Sequence, residues 1–178
     1  MVKRGILCLA VLLCLFLPSS AVYSSHEDCT HGGAGSNIVG TNGADTCNGT
    51  SAGENMNGRA GRDRFVAFGG FDDVHGGRDG DFLNESTGSG AVEGARGNDR
   101  VNGNQGDDNL LENLPGNIGD HDHACDGPGN DFINIRDGDG RDTWYNYPDG
   151  DAEFDLVRDT APGPMDNISD NNTNCPQP

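Results

Sequence analysis

A nine-residue period runs through the chain from His31 to Leu111 without a gap. It divides this stretch into the blocks HGGAGSNIV, GTNGADTCN, GTSAGENMN, GRAGRDRFV, AFGGFDDVH, GGRDGDFLN, ESTGSGAVE, GARGNDRVN and GNQGDDNLL. A fixed period predicts a repeat architecture, in which each unit buries its apolar residue only by stacking on its neighbours. The eighth residue of every block is apolar: Ile38, Cys47, Met56, Phe65, Val74, Leu83, Val92, Val101 and Leu110.

Each block has the composition of a turn followed by a very short strand. The fourth residue is usually glycine and the sixth is usually an acid. Glycine allows positive φ angles and lets backbone carbonyl groups come close to a cation. Because side chains alternate along a strand, only the eighth of residues seven to nine points inward. The high glycine content, 29 of 178 residues, therefore indicates repeated turns rather than disorder.

The combined pattern is G-G-x-G-x-D-x-U-x, where U is apolar. It resembles the haemolysin-type, repeats-in-toxin (RTX) calcium-binding family. The resemblance covers roughly residues 27–145. It implies an all-β fold, a right-handed parallel β-roll, and folding that waits for calcium outside the cell.

The physical chemistry of the repeat is consistent with that resemblance. Two blocks would make one coil, and their strands would stack on two facing parallel sheets. One apolar residue per strand gives a thin core, which would not by itself offset the repulsion between stacked carboxylates. Ca²⁺ binds many carboxylate and carbonyl oxygens. We therefore expect Ca²⁺ as the cofactor, with folding and metal binding coupled.

The period slips after residue 111. Residues 112–116, ENLPG, have the character of a five-residue insertion, with Pro115 ending a rung. The frame resumes as NIGDHDHAC (117–125) and DGPGNDFIN (126–134), and slips by two to DGDGRDTWY (137–145). We predict that the roll spans residues 26–145 and that residues 146–178 form an irregular C-terminal cap. The later sixth positions are Asp122, Asp131 and Asp142.

Turns on one edge of such a roll alternate with turns on the other. We define the first edge by the turns that end at Asp45, Asp63, Asp81 and Asp99, and the second edge by those that end at Ser36, Glu54, Asp72, Gly90 and Asp108. All sixth residues of the first edge are Asp, which predicts calcium sites between its successive turns. The second edge looks degraded, with Asp72 and Asp108 as isolated remnants. The alternatives are that all turns bind weakly, or that the degenerate turns are held by backbone hydrogen bonds alone. The predicted calcium ligands are Asp45, Asp63, Asp72, Asp81, Asp99, Asp108, Asp122, Asp131 and Asp142.

The N-terminus has the pattern of a secretory signal peptide. Lys3 and Arg4 precede an apolar run over 6–17, which is too short to span a membrane, and small residues follow. We expect residues 1–25 to be removed, and the mature chain to be secreted without a membrane anchor. It would then carry 9 basic and 29 acidic residues, a net charge of −20. This balance disfavours nucleic acid as a partner and favours cations.

Four cysteines remain after the signal peptide, which suggests two disulfides. Extending the frame backwards puts Cys29 at an eighth position, 18 residues before Cys47. The two would lie on successive rungs of one sheet, within disulfide range. We predict Cys29–Cys47, which leaves Cys125–Cys175 to tie the tail to the roll. The alternative is that all four are reduced core residues.

Two short motifs suggest other chemistry. Gly49-Thr50-Ser51-Ala52-Gly53 matches the G-x-S-x-G nucleophile elbow of serine hydrolases, which needs a strand, a sharp turn and a helix. Ser51 instead falls in a repeat turn, so we expect no enzyme activity from it. His121 and His123 could share a transition metal, but they also fit a repeat with Asp122 as a calcium ligand.

The sequence therefore predicts a secreted calcium-binding repeat protein that is not an enzyme. One alternative is an accessory module or relative of a secreted protease, lipase or alginate epimerase. Another is a surface adhesion or polysaccharide-binding protein, with Arg64, Arg100, Asn57 and Asn102 facing outward. No aromatic ladder accompanies those residues, so the sequence gives that alternative little support.

Overall fold

The structure is a computed structural model that describes residues 27–31, 34–113, 119–134, 141–145, 156–158 and 167–169. These residues form strands and turns, and no helix occurs among them. The predicted signal peptide lies outside the described residues.

Most strands belong to two sheets of eight strands each, and the remaining two, β7 (Gly69–Gly70) and β10 (Thr87–Gly88), pair in parallel with each other. Sheet A contains β1 (Glu27–Asp28), β4 (Asp45–Asn48), β6 (Arg64–Val66), β9 (Phe82–Asn84), β12 (Arg100–Asn102), β14 (His123–Cys125), β16 (Thr143–Tyr145) and β18 (Asn167–Ser169). Sheet B contains β2 (Thr30–His31), β3 (Asn37–Val39), β5 (Asn55–Asn57), β8 (Asp73–Arg78), β11 (Ala91–Arg96), β13 (Asn109–Asn113), β15 (Phe132–Asn134) and β17 (Leu156–Arg158).

From β3 onward the chain alternates between the two sheets, and neighbouring strands within a sheet are parallel. Phe65 pairs with Leu83, and Met56 with Val74, both at a separation of 18 residues. This register is that of two nine-residue blocks per coil. The all-β parallel β-roll predicted from the sequence is therefore confirmed.

The five-residue insertion at 112–116 lengthens one coil without breaking either sheet. Val101 pairs with Ala124 in sheet A at a separation of 23 residues. Leu110 pairs with Ile133 in sheet B at the same separation. The two-residue slip is absorbed in the same way, since Ala124 pairs with Trp144. The register prediction for the irregular coils is confirmed.

The core lies between the two sheets and consists mainly of the eighth-position side chains. Thirteen eighth-position residues in the described part are at most 6% exposed: Cys29, Ile38, Cys47, Met56, Phe65, Val74, Leu83, Val92, Val101, Leu110, Ala124, Ile133 and Trp144. Trp144 donates its indole Nε1–H to Asp126 Oδ2 at 3.2 Å, which provides the partner that a buried indole needs.

Cys29 and Cys47 form a disulfide, with Cα atoms 5.4 Å apart. The pairing of β1 with β4 aligns Asp28 with Thr46, so the two cysteines lie on adjacent rungs as predicted. Cys125 is also disulfide-bonded. Its predicted partner, Cys175, lies outside the described residues.

Both ends of the roll differ from the sequence prediction. At the N-terminus, β2 pairs antiparallel with β3, so the block that starts at His31 does not open with a regular turn. Beyond residue 145, where the roll was predicted to end, β17 and β18 extend sheets B and A by one strand each. The two sheets continue there because the pairing of backbones does not require the nine-residue side-chain pattern, which has faded by this point.

The ninth residue of the block was expected to face outward on both sheets. On sheet B it is half-buried, as at Asn57 and His75. On sheet A, Asn84 and Asn102 are only 2% and 3% exposed. The side chains of Ser86 and Asn104 fold back and donate to Asn84 Oδ1. The outward placement predicted for Asn102 is therefore wrong.

Candidate metal centre

Within a turn, the first and sixth side chains compete for the same interior space. A Cβ atom added at Gly40 would lie 2.7 Å from Asp45 Oδ2, and one at Gly76 would lie 2.5 Å from Asp81 Oδ2. Ordinary carbon–oxygen contacts are longer than this. The Asp45 and Asp81 carboxylates therefore leave no room for a side chain at these two glycines, whereas the turns that end at Asp72 and Asp131 accommodate Ala67 and Asp126 at the first position.

A backbone carbonyl of the next turn faces this same space. The Gly58 oxygen lies 2.9 Å from the Cβ position at Gly40, and the Gly94 oxygen lies 2.9 Å from that at Gly76. A carboxylate oxygen and a carbonyl oxygen thus converge at each of these glycines. Convergent oxygens of these two kinds are what a hard cation binds.

On the first edge the sixth-position carboxylates form an unbroken ladder. From Asp63 onward, the Oδ1 atom of each Asp accepts a hydrogen bond from the backbone N–H of the sixth residue in the preceding turn. This arrangement joins Asp122 and Asp142 to the four residues predicted for this edge. The donor-to-acceptor pairs are Asp45 to Asp63 (2.8 Å), Asp63 to Asp81 (2.8 Å), Asp81 to Asp99 (2.7 Å), Asp99 to Asp122 (2.7 Å) and Asp122 to Asp142 (2.9 Å).

The second edge is less degraded than the sequence predicts. Asp72 Oδ1 accepts from the backbone N–H of Glu54 at 2.7 Å. Asp108 Oδ1 accepts from Gly90 at 3.1 Å, and Asp131 Oδ1 from Asp108 at 2.8 Å. Asp72 and Asp108 are therefore members of ladders rather than isolated remnants. The ladder is interrupted at Gly90, which has no side chain to offer.

Glu85 fills that interruption. It is the first residue of the turn that ends at Gly90, and it is 0% exposed. A Cβ atom at Gly90 would overlap Glu85 Oε1 and would lie 2.6 Å from Glu85 Cδ. The Glu85 carboxylate thus occupies the space that a sixth-position carboxylate takes elsewhere. Glu85 is not among the ligands predicted from the sequence, although its block shows the signal, an acid at the first position and glycine at the sixth.

Several buried carboxylate oxygens accept no hydrogen bond in the structure. They are Oδ2 of Asp63, Asp72, Asp81, Asp99, Asp108 and Asp122, and both oxygens of Glu85. Burying an ionised carboxylate without a partner is strongly unfavourable. This set combines seven residues, of which six were predicted as ligands from the sequence.

Burial is the largest cause that raises the pKa of these carboxyl groups, and nearby carboxylates raise it further. The resulting pKa values are about 6 for Asp63 and Asp72, about 7 for Asp99 and Asp108, and about 8 for Asp81, Glu85 and Asp122. Near neutral pH, the carboxyl groups of Asp81, Glu85 and Asp122 therefore favour the protonated form unless a cation supplies the positive charge instead.

The turns that begin at Gly40 and Gly49 are built differently, because each has threonine at its second position. Thr41 donates its backbone N–H to Asp45 Oδ2 at 2.6 Å. Thr50 donates its backbone N–H to Glu54 Oε2 at 3.0 Å and its hydroxyl to Oε1. Burial acts to raise the pKa of Glu54, but hydrogen bonds from Thr50 and Gly35 hold it below its usual value.

This arrangement sets Asp45 apart from the other ligands predicted on the first edge. Its Oδ2 already has a donor, whereas Oδ2 of Asp63, Asp81 and Asp99 has none. Asp45 is therefore a weaker candidate ligand than the sequence suggests. Threonine at the second position is the sequence signal that distinguishes these two turns.

The other two motifs do not form the sites that they suggest. Ser51 is exposed in the turn between β4 and β5, without a helix after it. His121 is exposed, and His123 stacks on Tyr145 with ring centroids 6.0 Å apart. Both histidines line a cleft of about 470 Å³ beside Asp63, Asp81 and Asp99. Within the described ranges, no three His, Cys, Asp or Glu side chains converge on one metal position.

The fold and its turns define a parallel β-solenoid with stacked, buried carboxylates along both edges. No protein-family model, curated protein or solved structure matches the chain. Among the residues that the structure describes, no helix is long and apolar enough to cross a membrane.

Proposed function

We propose that this chain is a secreted, non-enzymatic calcium-binding repeat protein of the RTX type. Its acidic turns bind Ca²⁺, and this binding couples folding to calcium outside the cell. The observation that carries the proposal is the set of buried carboxylate oxygens without hydrogen-bond donors. Asp63, Asp81 and Asp99 on the first edge are the central members of this set.

The available ligands favour Ca²⁺ over other cations. Each turn offers carboxylate and carbonyl oxygens from a narrow, glycine-lined space. Ca²⁺ accepts six to eight such oxygens in flexible geometry, whereas Mg²⁺ demands a near-ideal octahedron and keeps several waters. Zn²⁺ prefers nitrogen and sulfur ligands in a tetrahedron. The carboxylates would hold the ion between successive turns, and the ion would supply the positive charge that cancels their repulsion.

The proposed location rests on two features. The Cys29–Cys47 disulfide fits an oxidising compartment outside the cytosol. The sequence of residues 1–25 has the pattern of a secretory signal. Extracellular calcium modules commonly bind at ~10⁻⁴–10⁻³ M, which would leave the chain largely unfolded before export.

Circular dichroism of the purified chain at neutral pH tests the proposal. We expect a disordered spectrum in EGTA and a β spectrum after calcium is restored, with a cooperative transition in the millimolar range or below. Mg²⁺ at the same concentration serves as the control and should produce a much smaller change. A chain that is equally folded in EGTA and binds no Ca²⁺ in equilibrium dialysis would refute the proposed function.

A further inference from the structure

The turn that runs from Glu85 to Gly90 inverts the usual arrangement of a repeat. In the turns on either side of it along the second edge, the acid is the sixth residue, at Asp72 and Asp108. Here the first residue carries the acid and the sixth has no side chain. The two changes are sterically linked, because a Cβ atom at position 90 would overlap the Glu85 carboxylate.

The surroundings of Glu85 are those of a ligand rather than of a structural acid. It is fully buried, and neither of its carboxylate oxygens accepts a hydrogen bond. Other buried acids of this edge differ in this respect. Glu54 receives donors from Thr50 and Gly35, and Asp126 receives them from Gly127 and Trp144.

Further oxygens adjoin the Glu85 carboxylate. The backbone oxygen of Asp72 lies 2.6 Å from the Cβ position at Gly90, next to Glu85 Cδ. The Asp72 and Asp108 carboxylates of the flanking turns repel the Glu85 carboxylate, and their Oδ2 atoms are also buried without donors. These two carboxylates add to the effect of burial, and the pKa of Glu85 is raised to about 8.

We propose that Glu85 is a cation ligand presented from the first position of its turn, so that the second edge holds a Ca²⁺ site between Asp72 and Asp108. This inference rests on the proposed function. It replaces the view that the second edge is degraded at Gly90. The carboxylate occupies the same space as in the other turns although it belongs to a different position of the turn. The longer Glu side chain at the first position reaches the interior space that an Asp at the sixth position would occupy.

The test compares four variants by calcium stoichiometry, using equilibrium dialysis with elemental analysis, and by the calcium midpoint of folding. Glu85→Gln removes the charge with little change in volume. The double variant E85G/G90D restores the usual arrangement, whereas G90D alone places two carboxylates in one space. Glu93→Gln is the matched control, because Glu93 lies outside the ladders and pairs with His75 at 2.9 Å.

We expect Glu85→Gln to bind about one ion fewer per chain and to need more calcium to fold. E85G/G90D should recover both the wild-type stoichiometry and midpoint, G90D alone should fold poorly, and Glu93→Gln should match the wild type. If the wild type binds calcium and Glu85→Gln binds as many ions at the same midpoint, the Glu85 site is overturned and the proposed function stands. If Glu85→Gln does not fold, the double variant decides, since its failure to recover stoichiometry would overturn the site.

A wild-type chain that binds no calcium would overturn both the site and the proposed function. The two failures are therefore distinguishable in one set of measurements. The recovery expected of E85G/G90D is specific to a ligand role, because a purely structural role for Glu85 predicts no recovery of a bound ion.

Discussion

The carboxylate of Glu85 lies where the side chain of residue 90 would otherwise be, and Gly90 leaves that space open. This relationship keeps an acid in every turn of the second edge from Glu54 to Asp131. It also shows that a repeat can depart from its consensus at two positions and still place a carboxylate in the same space. The two edges of the roll are therefore more alike in space than in sequence.

The metal-free protein should become more stable as the pH falls. Asp81 and Asp122 have folded-state pKa values of about 8, above the ordinary value of 3.8. Between these two values the folded chain binds more protons than the unfolded chain, so stability is lost as the pH rises. We expect the chain in EGTA to be folded near pH 4 and unfolded near pH 8, as monitored by circular dichroism. Stability that rises with pH in EGTA would contradict this.

Asp81→Asn should have opposite effects with and without calcium. The amide oxygen can still accept from the Asp63 backbone N–H, but the buried negative charge is gone. In EGTA we expect a more stable roll, because less carboxylate repulsion remains. In saturating calcium we expect lost affinity, with a midpoint about tenfold higher, equivalent to about 1.4 kcal/mol.

Calcium titrations followed by circular dichroism, with thermal melts in EGTA, measure both effects of Asp81→Asn. Asp73→Asn is the control, since Asp73 is an exposed acid whose side chain accepts from Asn55. Equal calcium midpoints for Asp81→Asn and the wild type would count against Asp81 as a ligand.

Backbone strain at the second position of the turn gives a prediction that does not involve calcium ligands. Arg59 has a φ of 79° and is exposed. A left-handed conformation costs a side chain with Cβ about 1–2 kcal/mol. Arg59→Gly should therefore be more stable than Arg59→Ala by about 1 kcal/mol, as measured by urea denaturation in calcium.

Arg62 supplies the matched control for this strain. It lies in the same turn, is exposed, and has no positive φ. There the order should reverse, with Arg62→Gly less stable than Arg62→Ala by about 0.5–1 kcal/mol. The same order at both positions would show that φ does not control these substitutions.

Thr50→Val should weaken the N-terminal turns without removing a calcium ion. The Thr50 hydroxyl donates to Glu54 Oε1 and accepts from the Ala52 backbone N–H at 3.1 Å. Its loss removes one donor from Glu54 Oε1, which still accepts from the Gly35 N–H, and leaves the part-buried Ala52 N–H without this acceptor. The two changes together should cost about 1–3 kcal/mol. Ser51→Ala, at an exposed neighbour, should cost little. A loss of bound calcium in Thr50→Val would show instead that the Glu54 turn is a metal site.

The nine-residue period alone determined much of this protein. It located the eighth-position core, the two-block coil and the alignment of Cys29 with Cys47, because a stack repeats the same environment at the same spacing. It also placed Asp81 and Asp99 on one edge of the roll, and it resumed after the insertion at 112–116. These features follow from local spacing, since a strand of three residues leaves little freedom in register.

The tertiary structure decided what a single sequence position cannot express. That Glu85 takes the place of an acid at residue 90 depends on the first and sixth positions of this turn facing the same space. That Asp45 Oδ2 has a donor while Asp63 Oδ2 has none depends on the orientation of the Thr41 backbone N–H and hydroxyl. The two β-sheets also continue beyond residue 145, where strands still pair although the side-chain pattern has faded. Each of these depends on contacts in three dimensions, which the consensus describes only one position at a time.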